Sequence, residues 1–127
     1  MRRVFKTRFF ARWLRKTDLD DAALCRAVSE MERGLIDADL GGGVFKKRVA
    51  LPGRGKSGGA RTLVASNRGD RWFFVFGFEK SVRASVSAKE LEALQALATD
   101  LLKLSSDELD RQVENDVLAE IGHDPAN

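Results

Sequence analysis

Between residues 44 and 78 three β-forming runs follow one another with nothing longer than a loop between them, and this stretch constrains the fold more than any other. The runs are VFKKRVAL (residues 44–51), ARTLVAS (60–66) and RWFFVFGF (71–78), the last being the most β-like in the chain through its aromatic and β-branched content. PGRGKSGG (52–59) must form a loop between the first two. Residues 67–70, which contain Arg-Gly-Asp, form a hairpin turn before the third. Strands joined this closely make an antiparallel meander. Most of the aromatic run Trp72, Phe73, Phe74, Phe76 and Phe78 reads as core rather than as a base-stacking surface.

The flanks are helical. Residues 2–6 read as a short strand leading into a helix-like stretch, 7–16, with Phe10, Trp13 and Leu14 at i, i+3, i+4 spacing. Thr17 and Asp18 supply a cap, and residues 20–33 form a second helix with Leu24, Ala27, Val28 and Met31 in phase, stopped at Gly34. A loop, 35–43, ends in three glycines. Beyond the meander, Ser87 with Glu90 is a capping box ahead of Leu91, Leu94, Ala98, Leu101 and Leu102, and Ser105 with Glu108 repeats the signal ahead of Leu109, Val113, Val117 and Ile121. The expected class is therefore α+β, ordered β-α-α-β-β-β and then two helices, with helices covering one face of an antiparallel sheet. A length of 127 residues suits one domain, with a C-terminal helical extension over about 87–122.

Composition removes several kinds of chemistry. One cysteine, Cys25, permits no intrachain disulfide and no Cys-based zinc site. One histidine, His123, near the end of the chain, leaves Ser/His and Cys/His nucleophilic pairs short of parts. No apolar run is long enough for a membrane span, and the basic N-terminus lacks the apolar stretch of a signal peptide, so a soluble cytoplasmic protein without a membrane partner is expected. Residues 1–83 hold 19 Lys and Arg against 9 Asp and Glu, whereas 84–127 hold 3 against 10. A basic body of this kind favours a polyanion, because neutralising phosphates releases counterions.

The segment Gly53-Arg54-Gly55-Lys56-Ser57-Gly58 matches G-x-G-x-x-G, and Gly55-Lys56-Ser57 resembles the end of a phosphate-binding Walker loop. Both motifs need a following helix to aim amides at phosphate, but a strand follows here, and the position five residues before Gly55 is Ala50. No nucleotide cofactor is expected. What remains is a set of cations. Lys46 and Arg48 share one strand face with Lys47 on the other, Arg54 and Lys56 lie in the loop, Arg61 opens the next strand as a surface-pointing residue, and Arg71, Lys80 and Arg83 come from the last strand and its exit. No carboxylate or histidine accompanies them. Asp70 and Glu79 are isolated there, so neither metal nor cofactor is expected, and the cations are suited to holding phosphates and stabilising a phosphoryl transition state.

KSGGARTLVA (56–65), GDRWFFVFGFEKSVRASVSAKELEAL (69–94) and SEMERGLIDADLGGGVFKKRVA (29–50) together resemble the RelE/ParE superfamily of type II toxin–antitoxin toxins, in its RelE and HigB-like branch, which carries K-S-G-G-x-R before the central strands. The likeness implies a small α+β fold with two N-terminal helices on a twisted antiparallel sheet. It implies an endoribonuclease that cuts mRNA in the ribosomal A site, expected to be metal-independent because no Asp/Glu cluster converges in the basic region; ParE-like members instead inhibit DNA gyrase, and a non-catalytic RNA- or protein-binding module of toxin ancestry is the third reading. By the same likeness Arg61 holds the scissile phosphate, Lys80 or Arg83 stabilises the transition state or protonates the leaving 5′-oxygen, and Lys56 assists activation of the ribose 2′-hydroxyl; the other cations of the set, Lys46, Arg48, Arg54 and Arg71, are expected from their placement to contact RNA. The pattern departs at one place. RelE carries a tyrosine shortly after its exit arginine, where this chain has Ser87 or its neighbours and holds no tyrosine at all. Partners implied are the ribosome with mRNA and a cognate antitoxin of helix-turn-helix, DNA-binding type.

Overall fold

The computed structural model describes residues 2–53 and 58–122, arranged as a six-stranded sheet of order β2-β3-β4-β5-β1-β6 with helices on both faces. Layers on both sides follow from the central strands. Every residue of β4 (Ala60–Ser66) is buried, as is most of β5 (Arg71–Glu79), and a strand that alternates apolar side chains to both faces needs cover on both. The expectation of helices on one face is thereby corrected.

The meander is as expected: β3 (Val44–Val49) pairs antiparallel with β4, and β4 with β5. A bulge on the β5 side near Leu63/Val64 turns Phe76 to the same face as Val75. A two-residue strand, β2 (Ala38–Asp39), extends the sheet beyond β3 inside the segment expected to be loop. β1 (Arg3–Thr7) lies on the other side of β5 and parallel to it, so the sheet is mixed.

On one face pack α1 (Arg8–Leu14) and α2 (Asp21–Glu32), closing a core that includes Phe10, Leu24, Val28, Met31, Trp72 and Phe74. The N-cap of α2 is Asp20, whose side chain accepts from the Ala23 amide at 3.0 Å, rather than Thr17 or Asp18; Thr17 instead bonds to the Leu14 carbonyl and the Leu19 amide within the connecting turn. Gly34 ends the helix segment at φ +91, where a side chain is strained. α1 approaches β5 so closely that a Cβ at Gly77 would lie 2.4 Å from the Trp13 ring.

The second face is covered by α3 (Ala88–Leu102) and α4 (Ser106–Glu114), both opened by the expected capping boxes at Ser87/Glu90 and Ser105/Glu108. Leu94, Ala98, Leu101 and Leu109 pack over Phe5, Leu63 and Phe73, and the stacked Phe5 and Phe73 rings lie 5.0 Å apart. Full burial of each leucine or phenylalanine side chain there is worth roughly 1.5–3 kcal/mol. The second C-terminal helix is shorter than expected. It stops at Asn115, Asp116 takes φ 60, and β6 (Leu118–Ile121) adds antiparallel to β1. The i, i+4 spacing of Val113, Val117 and Ile121 thus misleads: Val117 is 45% exposed, and Leu118 and Ile121 enter the two opposite cores, as strand residues an odd number apart do. Arg3 fastens this end through Asp110 at 2.7 Å and Glu120 at 2.8 Å, and these carboxylates hold its guanidinium above its ordinary range against the opposing effect of burial. Among the described residues no helix is long and apolar enough to cross a membrane.

Candidate nucleic-acid interface

The exit of β5 and the entry of β4 lie side by side, joined by the Lys80 amide donating to the Gly59 carbonyl at 3.2 Å. Gly59 is required there by close approach: a Cβ would sit 2.4 Å from the Val49 carbonyl oxygen. Arg54 and Lys56 lie outside the described residues, as does His123.

At this end of the sheet Arg61 is in register with Arg48 on one side and Phe78 on the other. It is 9% exposed, which corrects the expectation of a surface-pointing residue. Lys80 is exposed. The Arg83 guanidinium lies over Phe76 and Phe78, 5.6 and 5.7 Å from the ring centres, in cation–π contact. Its Nε donates to the Ser85 carbonyl at 3.0 Å, and its Nη1 and Nη2 donate to the two carboxylate oxygens of Glu90. Glu90 also accepts from the Ser87 amide at 2.8 Å as part of the α3 capping box. The Arg83 bond, followed by the Ser87 amide, holds the Glu90 carboxyl down to about 2, and Glu90 in turn raises Arg83. A carboxylate therefore does stand among these cations. The capping-box signal that located the helix start gave no sign of this second role.

The other cations divide. Lys46 lines a cavity of about 140 Å³ together with Leu63, Phe78, Ser85, Val86 and Leu91, on the same sheet face as Arg83. Lys47 points the other way, as its alternation requires, and is a structural residue: its ammonium is 2.8 Å from Glu30 of α2 and 2.9 Å from the Leu35 carbonyl. Arg48 pairs with Asp37 at 2.9 Å. Arg71 belongs to a different place. It opens β5, at the end of the strand opposite Lys80 and Arg83, and bonds to Asp70 and to the Ser106 hydroxyl of α4. The expectation of one cluster containing Arg71 is corrected by strand length, since nine residues of β span roughly 25–30 Å.

A larger groove of about 480 Å³ runs beside the cations between α1 and α3; Phe9, Phe76, Leu97 and Val117 line it, and Phe9 stacks on Phe76 at 5.8 Å. Its walls are almost wholly apolar. Among the described residues no group of three His, Cys, Asp or Glu side chains is placed to hold a metal ion.

What this assembly defines is an α+β protein with arginines and aromatic rings gathered at one end of a sheet, and it has the parts for binding phosphate. The family described as the RelE toxin of the RelE/RelB toxin–antitoxin system matches residues 2–121, nearly the whole chain, and this chain belongs to it. A search of curated proteins returned no match. Family membership makes the chain a toxin of a toxin–antitoxin system and implies an antitoxin partner.

Proposed function

We propose that this protein cuts mRNA on the ribosome, using the cations at the β4 entry and β5 exit. The observation that carries the reading is that Phe78, whose ring lies 5.7 Å from the Arg83 guanidinium, stands opposite Arg61 in the β4–β5 register, which brings the two arginine positions to the same end of the sheet. In this reading Arg61 and Arg83 bind the scissile phosphate and take up the charge that develops on its oxygens. The ribose 2′-oxygen attacks phosphorus, the bond to the 5′-oxygen breaks, the 2′-hydroxyl proton departs with the help of Lys56, and Lys80 or Arg83 returns a proton to the leaving oxygen. The products are a 2′,3′-cyclic phosphate and a 5′-hydroxyl end, and neither metal nor cofactor is required. Lys46 and Arg48 extend the basic surface on the same face. The site works in the cytoplasm, and the antitoxin is a small helix-turn-helix protein whose gene adjoins this one.

Induced expression without the antitoxin tests the reading. Transcripts should show new 5′ ends at codon positions while translation stops, and Arg83→Ala should abolish both. Intact transcripts with arrested replication would instead assign a gyrase poison, and absence of growth arrest would assign a non-catalytic binding module.

A further inference from the structure

We propose that Glu90 is a built-in competitor for the RNA phosphate: in the free protein its carboxylate occupies the Arg83 fork that a bound phosphate takes over. The proposal rests on the reading of Arg83 as a phosphate ligand. Carboxylate and phosphate use the same pair of guanidinium N–H groups, and Glu90 already accepts from both Nη1 and Nη2. A phosphate approaching that fork therefore meets both an occupied pair of donors and a like charge.

Two geometric facts decide between a competitor and a residue that orients Arg83. The guanidinium is held without Glu90, by the Ser85 carbonyl at 3.0 Å and by two aromatic rings, so its plane survives loss of the carboxylate. Glu90 likewise keeps a partner without Arg83, because the Ser87 amide donates to it at 2.8 Å. Each side of the pair has an independent anchor, and exchange of carboxylate for phosphate leaves neither stranded. The side chains are 36% and 35% exposed, so water and a polyanion reach the pair, and a phosphate offers the fork the same two-bond geometry in exchange. Protonation does not release it near neutral pH, since the carboxyl titrates only at about 2. Displacement by substrate is the remaining route. Isolated phosphates and free RNA must compete with Glu90 unaided, whereas mRNA already held by the ribosome presents its phosphate at high local concentration.

Glu90→Gln is the informative variant, because glutamine still accepts from the Ser87 amide and keeps the capping box while losing the charge. Binding of a short single-stranded RNA is measured by fluorescence anisotropy over a salt series for wild type, Glu90→Gln, Arg83→Ala and the double variant. The expected result is about two- to fivefold tighter binding by Glu90→Gln. The log–log salt dependence should steepen by about 0.7, as for one further phosphate neutralised on a single strand. No gain is expected from Glu90→Gln in the Arg83→Ala background. Equal or weaker binding by Glu90→Gln, with Arg83→Ala still weakened, overturns the competitor and leaves the RNA site standing. An Arg83→Ala variant that binds like wild type overturns both. Should Glu90→Gln fail to fold, carbon-detected NMR of the wild-type protein decides: the Glu90 carboxyl resonance must move as RNA saturates the protein, and an unmoved resonance refutes the exchange.

Discussion

Replacing Lys47 by methionine separates a cation that holds the fold from those proposed to hold phosphate. The Lys47 side chain is 4% exposed and spans from β3 to α2, with Glu30 at 2.8 Å and the Leu35 carbonyl at 2.9 Å. Loss of the charge-assisted bond costs about 1.5–3 kcal/mol and loss of the carbonyl bond about 1 kcal/mol. Against this, methionine no longer has to bury an ammonium, and escaping that desolvation recovers part of the loss. Glu30 is 26% exposed and regains water when its partner goes. The net expectation for Lys47→Met is a loss of about 1–2 kcal/mol. Lys47→Ala also gives up three buried methylenes at about 0.8 kcal/mol each, for a total near 3–4 kcal/mol. Urea unfolding followed by circular dichroism measures both, and the denaturant slope should not change. In a cycle with Glu30→Gln the two substitutions should couple by about 1 kcal/mol or more. Cleavage per folded molecule should stay at the wild-type level, because Lys47 faces α2, on the side of the sheet opposite Arg83. Unchanged stability together with lost cleavage would refute both the structural role and the division of the cations.

Three further outcomes are expected. Gly77→Ala places a Cβ 2.4 Å from the Trp13 ring and should cost about 1–3 kcal/mol by overpacking; thermal unfolding checks it, and recovery on combining it with Trp13→Leu would identify the clash as the cause. The Glu90 carboxyl is depressed from 4.5 to about 2 on folding, first by Arg83 and then by the Ser87 amide, so its contribution to stability is complete above pH 4.5 and is lost as pH falls toward about 2. Unfolding temperatures across that window should fall less steeply for Arg83→Ala than for wild type, and parallel curves would contradict the linkage. Arg61→Ala removes a 9%-exposed side chain and should lower stability by about 1–2 kcal/mol as well as reducing cleavage, so its activity must be read at a temperature where calorimetry shows the variant folded.

Features that depend on neighbours in the chain were legible in the sequence. Ser87/Glu90 and Ser105/Glu108 mark helix starts because a capping box is complete within four residues, and the β3-β4-β5 meander follows from short connections between β-forming runs. Alternation alone separates Lys46 and Arg48 from Lys47. Along this chain, though, periodicity tells which side of an element is apolar, not what covers it. The second helical layer, the parallel insertion of β1 beside β5 and the conversion of residues 118–121 from expected helix to strand were settled by packing between elements far apart in sequence. The site shows the same division. The residue types suited to phosphate could be named from composition and spacing. The separation of Arg71 from Arg83, the burial of Arg61 and the arrival of Glu90 in the arginine fork were decided by tertiary structure, because an ion pair depends on where two backbones are carried and the sequence holds no local record of that.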